Sequence, residues 1–249
     1  MQYGICNLSM VSLRSEPTND SPLISQVLYG EYFKVLEQRK FWSKIRLAFD
    51  GNEGWIDNKQ YLNITEENYK FINNKNATFS QDLVEFVQDP NEQLYAIPLG
   101  STLNGLEVLN HRFDGTSFFG VSTKCNLVKT AFIYLNTPYL SGGKTPFGID
   151  SSGFTQMVYK LNGYKLLRTA SQQATQGEAL SFIEESEPGD LAFFDDDEGV
   201  INHVGIIMKD NYIIHAYGKV RIDRLDHSGI FNVDEEKHTH KLRVIKKVI

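Results

Sequence analysis

Residues 150–161 constrain this chain more than any other stretch, because they read as a helix with a defined first turn. Asp150 stands ahead of a run whose apolar side chains fall at Phe154, Met157, Val158 and Leu161. This is the i, i+3, i+4, i+7 spacing of an amphipathic helix. Aspartate caps such a helix by accepting from the free N–H groups of its first turn. Ser151 then sits in or next to that turn, where unpaired N–H groups carry partial positive charge. A thiol placed there would be pushed toward thiolate. A serine hydroxyl gains too little from the dipole to ionise, and needs a strong base beside it and an oxyanion hole shaped for it. Taken alone, Asp-Ser-Ser-Gly reads as a helix cap.

The histidines downstream add to this reading. His203-Val-Gly-Ile-Ile-Met208 and Tyr212-Ile-Ile-His-Ala-Tyr217 are β-rich runs separated by Lys209-Asp210-Asn211, which reads as a hairpin loop. In that register Met208 faces Tyr212 and His203 faces Tyr217. His215 is then a diagonal neighbour of His203 on the same face, about 7–8 Å away along the sheet. A nucleophile on a helix N-terminus, a histidine base and a polar group orienting that base are what nucleophilic acyl transfer requires.

Five segments resemble one family in order and spacing: Thr137 to Asp150 with Asp150-Ser-Ser-Gly-Phe154, Arg168-Thr-Ala-Ser-Gln-Gln173, Pro188-Gly-Asp-Leu-Ala-Phe-Phe194, His203-Val-Gly-Ile206 and Ile214-His-Ala216. The family is the NlpC group of papain-like cell-wall peptidases, which spells the helix start Asp-Cys-Ser-Gly-Phe. The resemblance runs from about residue 125 to the C-terminus. It implies an α+β papain-like domain over 124–249, with a helix-borne nucleophile packed on an antiparallel sheet. It places Ser151, His203 and His215 at the nucleophile, base and orienting positions. Tyr139, Asp150 and Ser152 match the substrate pocket.

Residues 3–62 alternate polar and apolar over short runs with turn signals between them, which suggests a small β-barrel. Leu13-Arg-Ser-Glu-Pro17 and Gly54-Trp-Ile56 resemble a bacterial SH3-like domain over 1–62. A second such barrel is expected over 75–123, from Leu94-Tyr-Ala-Ile-Pro-Leu99 through Phe118-Phe-Gly120, with the polar stretch Asn63 to Asn76 as boundary. One or two SH3-like barrels before an NlpC domain resemble the γ-D-glutamyl-L-diamino acid endopeptidases, or dipeptidyl-peptidase VI, which release L-Ala-γ-D-Glu from free muropeptides. The resemblance implies a peptidoglycan-derived peptide with a free N-terminal L-Ala as partner. It gives Glu16 the peptide's amino group, and places Asn52 where a tyrosine is usual. Arg168 is read as a partner for a substrate carboxylate.

Thr169 stands where the family has an aspartate that pairs with the substrate ammonium, and replacing it removes a charge-assisted hydrogen bond of roughly 1.5–3 kcal/mol. Ser141 replaces a common tryptophan, and Tyr217 a small serine. Together with Ser151, these departures point to a natural member that is catalytically inactive or weakened and binds muropeptide, or a protein partner, in the old cleft. The alternative is an active cysteine endopeptidase carrying an engineered Cys-to-Ser change at 151. A serine hydrolase using Ser151 is the third and weakest reading.

The 249 residues, 41% hydrophobic, suffice for several small cores, and the net charge of −6 at pH 7 with no basic stripe argues against nucleic acid. No apolar run of ~18 residues is present to span a membrane. A cytoplasmic protein is expected, or a periplasmic one if a leader has been removed. Cys6 and Cys125 suggest no disulfide framework. No cofactor or metal is expected: His238-Thr-His240 is too short a metal signal and reads as exposed strand or loop. Asp195-Asp-Asp-Glu198 reads as a solvated loop between strands.

Overall fold

The computed structural model describes residues 1–249, which divide into two compact units: 1–121 with 141–146, and 122–140 with 147–249. In the first unit seven short antiparallel strands form one sheet, in the spatial order Leu23–Leu28, Met10–Arg14, Glu53–Asp57, Trp42–Leu47, Tyr32–Gln38, Gln2–Ile5, Leu62–Ile64. The alternation seen in the sequence is what fills its core. Val11 and Leu13, Phe33 and Val35, and Ile45 and Leu47 project inward from alternate positions. A register shift between Val35 and Glu37 breaks the alternation at Leu36, which is left exposed.

The stretch expected to be a boundary, 63–76, contains the helix Glu66–Asn73, capped by Thr65 and anchored by buried Ile72. Beyond it, Val84–Gln88 pairs with Leu94–Pro98 and Arg112–Phe113, and Thr78–Ser80 pairs with Ser117–Phe119. These small sheets share a core of Val87, Ile97 and Leu103 with Tyr29. Gly30 makes that approach feasible. Its φ is +74°, and a Cβ there would lie 1.7 Å from the Thr102 carbonyl oxygen. Residues 75–121 therefore belong to the same compact unit as 1–62.

The second unit is built round a six-stranded ring. Leu191–Asp195, Ile201–Ile207, Tyr212–Tyr217, Lys219–Leu225 and Gly229–Asn232 pair in succession, and Lys237–Lys247 pairs with both the first and the last. A short seventh strand, Glu178–Leu180, adds to the outside of Lys237–Lys247. Ala192, Phe194, Ile207, Ile213, Leu225, Ile230 and Ile245 cluster as one core. The intervening residues Val204, Ile206, Ile214 and Ala216 are also buried, so both faces of the central strands are covered. The helix Ser151–Lys160 packs against Ile201–Ile207 and Tyr212–Tyr217.

That helix is buried along its whole length, not only on its apolar stripe. Two of its polar side chains bond to the segment that follows. Thr155 Oγ1 donates to Gln173 Oε1 at 2.7 Å and Gln156 Nε2 to the Leu166 carbonyl at 3.1 Å. Both cysteines are free thiols, Cys6 buried and Cys125 exposed.

Candidate active site

The nucleophile position is set by its cap. Asp150 is extended and its Oδ1 accepts from the Gly153 N–H at 2.6 Å, so Ser151 is the first helical residue. The Arg168 guanidinium holds the same carboxylate from the other side, Nη1 to Oδ1 at 3.0 Å and Nη2 to Oδ2 at 2.7 Å, and reaches Ser152 Oγ at 3.0 Å. Arg168 is 2% exposed. Two parallel charge-assisted bonds of this kind fix the carboxylate's orientation. The sequence reading of Arg168 as a partner for a substrate carboxylate is revised accordingly: its fork is turned inward and pins the cap. Ser152 belongs to the same network, donating to Asp150 Oδ1 at 3.2 Å.

The hairpin forms in the expected register, with Gly205 opposite His215 and Ile207 opposite Ile213. Met208 N–H donates to the Tyr212 carbonyl at 2.8 Å. Asp210 and Asn211 take positive φ in the loop, a conformation these residue types tolerate. Gly205 leaves space for the imidazole opposite, since a Cβ there would meet His215 Cβ at 2.9 Å and Ile213 Cδ1 at 2.7 Å. His203 and His215 are thus brought together, with Nε2 of the first 2.8 Å from Nδ1 of the second.

A third member escaped the sequence reading. His215 Nε2 lies 3.0 Å from Asp223 Oδ2, and Asp223 in turn accepts from Arg221 Nε and Nη2 at 2.7 and 2.9 Å and from the Val233 N–H at 3.2 Å. The signal for it lay in Gly218, whose tight turn sets Tyr217 opposite Lys219 and therefore Ile213 opposite Asp223. Asp223 is diagonal to His215 on one side, as His203 is on the other.

The chain of contacts fixes the tautomers. A carboxylate only accepts, so His215 carries its proton on Nε2 and presents a bare Nδ1. His203 then donates from Nε2, and its Nδ1 is left as the proton acceptor. Burial, with His215 and His240 nearby, holds His203 well below the ordinary 6.5. Burial also lowers His215, against the pull of Asp223. Asp223 is depressed below 3.8 by its bonds to His215 and Arg221, which outweigh burial. At neutral pH the site therefore holds two neutral imidazoles and one carboxylate.

His240 was read as exposed strand or loop. It lies in the strand Lys237–Lys247, where the pairing slips at Thr239, and its ring stacks on His203 with centroids 4.0 Å apart. Tyr217 packs edge-to-face on His240, with ring centroids 4.9 Å apart. Asp195 is likewise not a solvated loop residue: it ends the strand Leu191–Asp195 with its side chain 3% exposed.

The other residues singled out by the sequence lie as follows. Thr169 caps the short helix Ala170–Gln173 in a reciprocal box with Gln172, which gives it a structural task beside any role toward substrate. Tyr139 is 47% exposed, and its N–H donates to the Gly218 carbonyl. Within the first unit, Glu16 is exposed in the loop between Met10–Arg14 and Leu23–Leu28, as is Ser141 in its own segment. Asn52 Nδ2 is buried with no hydrogen-bond partner.

The NlpC/P60 family model matches residues 136–236, and the model of the bacterial dipeptidyl-peptidase SH3 domain matches 13–60. The chain is 28% identical over 222 residues to the γ-D-glutamyl-L-lysine dipeptidyl-peptidase of Bacillus subtilis strain 168, covering 79% of this chain and 73% of that one. It is 25% identical over 256 residues to dipeptidyl-peptidase 6 of Lysinibacillus sphaericus, covering 87% and 89%. Among solved structures, an NlpC/P60 family protein from Bacillus cereus ATCC 10987 superposes with a TM-score of 0.81 over 99% of each chain, at 19% identity, which speaks for the fold. The chain thus carries an NlpC/P60-family domain behind a bacterial dipeptidyl-peptidase SH3 domain, and is homologous to the γ-D-glutamyl-L-lysine dipeptidyl-peptidases.

Proposed function

We propose that this protein binds a peptidoglycan-derived peptide with a free N-terminal L-Ala, of the L-Ala-γ-D-Glu-diamino acid type, and that its cleavage of that peptide is lost or severely weakened. The observation that carries the reading is a serine in place of a thiol at the first position of the helix that packs against the strand bearing His203, whose imidazole burial holds below its ordinary pKa. A thiol at a helix N-terminus surrenders its proton to a modest base. A hydroxyl does not, and the site offers it no stronger one. Ser151, His203 and His215 take the nucleophile, base and orienting roles in this proposal, with Asp223 fixing His215. Tyr139 forms part of the pocket wall, and Glu16 is assigned the peptide's amino group.

A second reading has its own support. The His203–His215–Asp223 chain is complete, and an intact base apparatus suits an active cysteine endopeptidase in which only position 151 has been changed.

Calorimetry with L-Ala-γ-D-Glu-diaminopimelate and its N-acetyl form tests the binding reading, with product formation followed in the same samples. Weak binding of the free peptide without turnover, abolished by acetylation, is expected because a neutral amide leaves a carboxylate without its cationic partner. Equal affinity for both peptides, or none for either, would refute recognition of the amino terminus and favour a protein partner.

A further inference from the structure

The cluster formed by His203, His215 and His240 has more nitrogen ligands than a peptidase needs. One ligand atom from each of the three rings lies within 4.8 Å of the other two. Nitrogens bound to one tetrahedral zinc at 2.0–2.1 Å are about 3.4 Å apart, so closing on an ion requires the bonded His203–His215 pair to separate and His240 to turn out of its stack on His203. From this geometry we propose that His203 Nε2, His215 Nδ1 and His240 Nε2 form a binding site for a divalent transition metal of the zinc type, one that shuts off the base.

Four features support the assignment. Three neutral imidazoles suit zinc, and burial keeps all three rings below their ordinary pKa, His240 at about 4. His215 is already bonded through its other nitrogen to the Asp223 carboxylate, the arrangement that orients metal-bound histidines and raises their basicity. His240 Nδ1 lies 2.9 Å from Thr239 Oγ1, which leaves Nε2 for the ion. Of the three rings, His240 also lines an open cavity of about 480 Å³ with Asp195, Asp196, Asp197 and His238. Asp195 Oδ1 is buried without a hydrogen-bond partner, while Arg243 Nε lies 3.6 Å from its Oδ2 and Lys241 lines the same cavity, so the three aspartates there outnumber the two cations.

The functional consequence follows from proton positions. In the metal-free relay the His203 proton is on Nε2 and Nδ1 is the base. A metal on Nε2 displaces the hydrogen bond to His215 and shifts that proton to Nδ1, so the same ring can no longer accept one. Metal binding and a competent base are mutually exclusive, whatever residue occupies position 151.

The test is a titration of the tag-free full chain with Zn²⁺ at pH 7.5, followed by calorimetry and by imidazole ¹⁵N NMR. One equivalent is expected to bind, with the His203, His215 and His240 resonances shifting together and that of exposed His227 unmoved. Co²⁺ substituted for Zn²⁺ should give the visible bands of a four-coordinate site. His240→Gln should weaken binding at least tenfold while His227→Gln leaves it unchanged. No binding, binding unaffected by His240→Gln, or shifts confined to His227 or His238 would overturn the proposal. The NMR readout on the unsubstituted chain decides the matter even if His240→Gln fails to fold.

Discussion

Asp223→Asn isolates what holds the base in place. The carboxylate is fully buried and is bonded to His215, to two nitrogens of Arg221 and to the Val233 N–H. Asparagine preserves the shape, removes the charge and turns an N–H₂ group toward donors. Breaking one side of a buried pair costs about 3–5 kcal/mol because the other charge is left uncompensated. Arg221 retains Asp234 at 2.9 Å, but that side chain is 75% exposed, and such a pair contributes no more than about 1 kcal/mol. The loss expected is therefore at the low end, about 3 kcal/mol, or roughly a hundredfold in the opening equilibrium. Tryptophan fluorescence is blind to this event, since Trp42 and Trp55 both lie in the first unit. Hydrogen exchange at the amides of Ile206 and Ile214 reads the barrel directly. Imidazole ¹⁵N shifts should show His215 as a single Nε2–H tautomer in the parent and as a mixture in the variant. A loss below about 1 kcal/mol with the tautomer unchanged would refute both the anchoring and the proton assignment.

Two further outcomes are expected. Ser151→Cys should restore turnover only to a level about tenfold to a hundredfold below active relatives, the range set by one missing charge-assisted bond at Thr169; full restoration would mean that position 151 is the only block. Stability should fall as pH drops from 7 to 5. His203, His215 and His240 are lowered in the folded state, so the unfolded chain takes up protons first, near 6.5, and a second loss follows below about 3.8 as Asp223, depressed when folded, is protonated. Urea midpoints that stay flat between pH 7 and 5 would contradict the neutral-histidine assignment.

What the sequence determined by itself was local. The Asp150 cap and the spacing of Phe154, Met157, Val158 and Leu161 define the helix that carries Ser151, because hydrogen bonds and apolar periodicity act over one or two turns. The three-residue loop 209–211 fixes the hairpin register and so the His203–His215 diagonal. Tertiary structure decided what lies beyond one hairpin. Asp223 joins the relay only because a second hairpin continues the sheet, and His240 reaches His203 only because the last strand closes the ring on strands far from it in sequence. Arg168 has the composition of a substrate clamp, yet the fold turns its guanidinium onto Asp150. Which partner a long charged side chain takes depends on which opposite charge is buried beside it, and periodicity does not encode that.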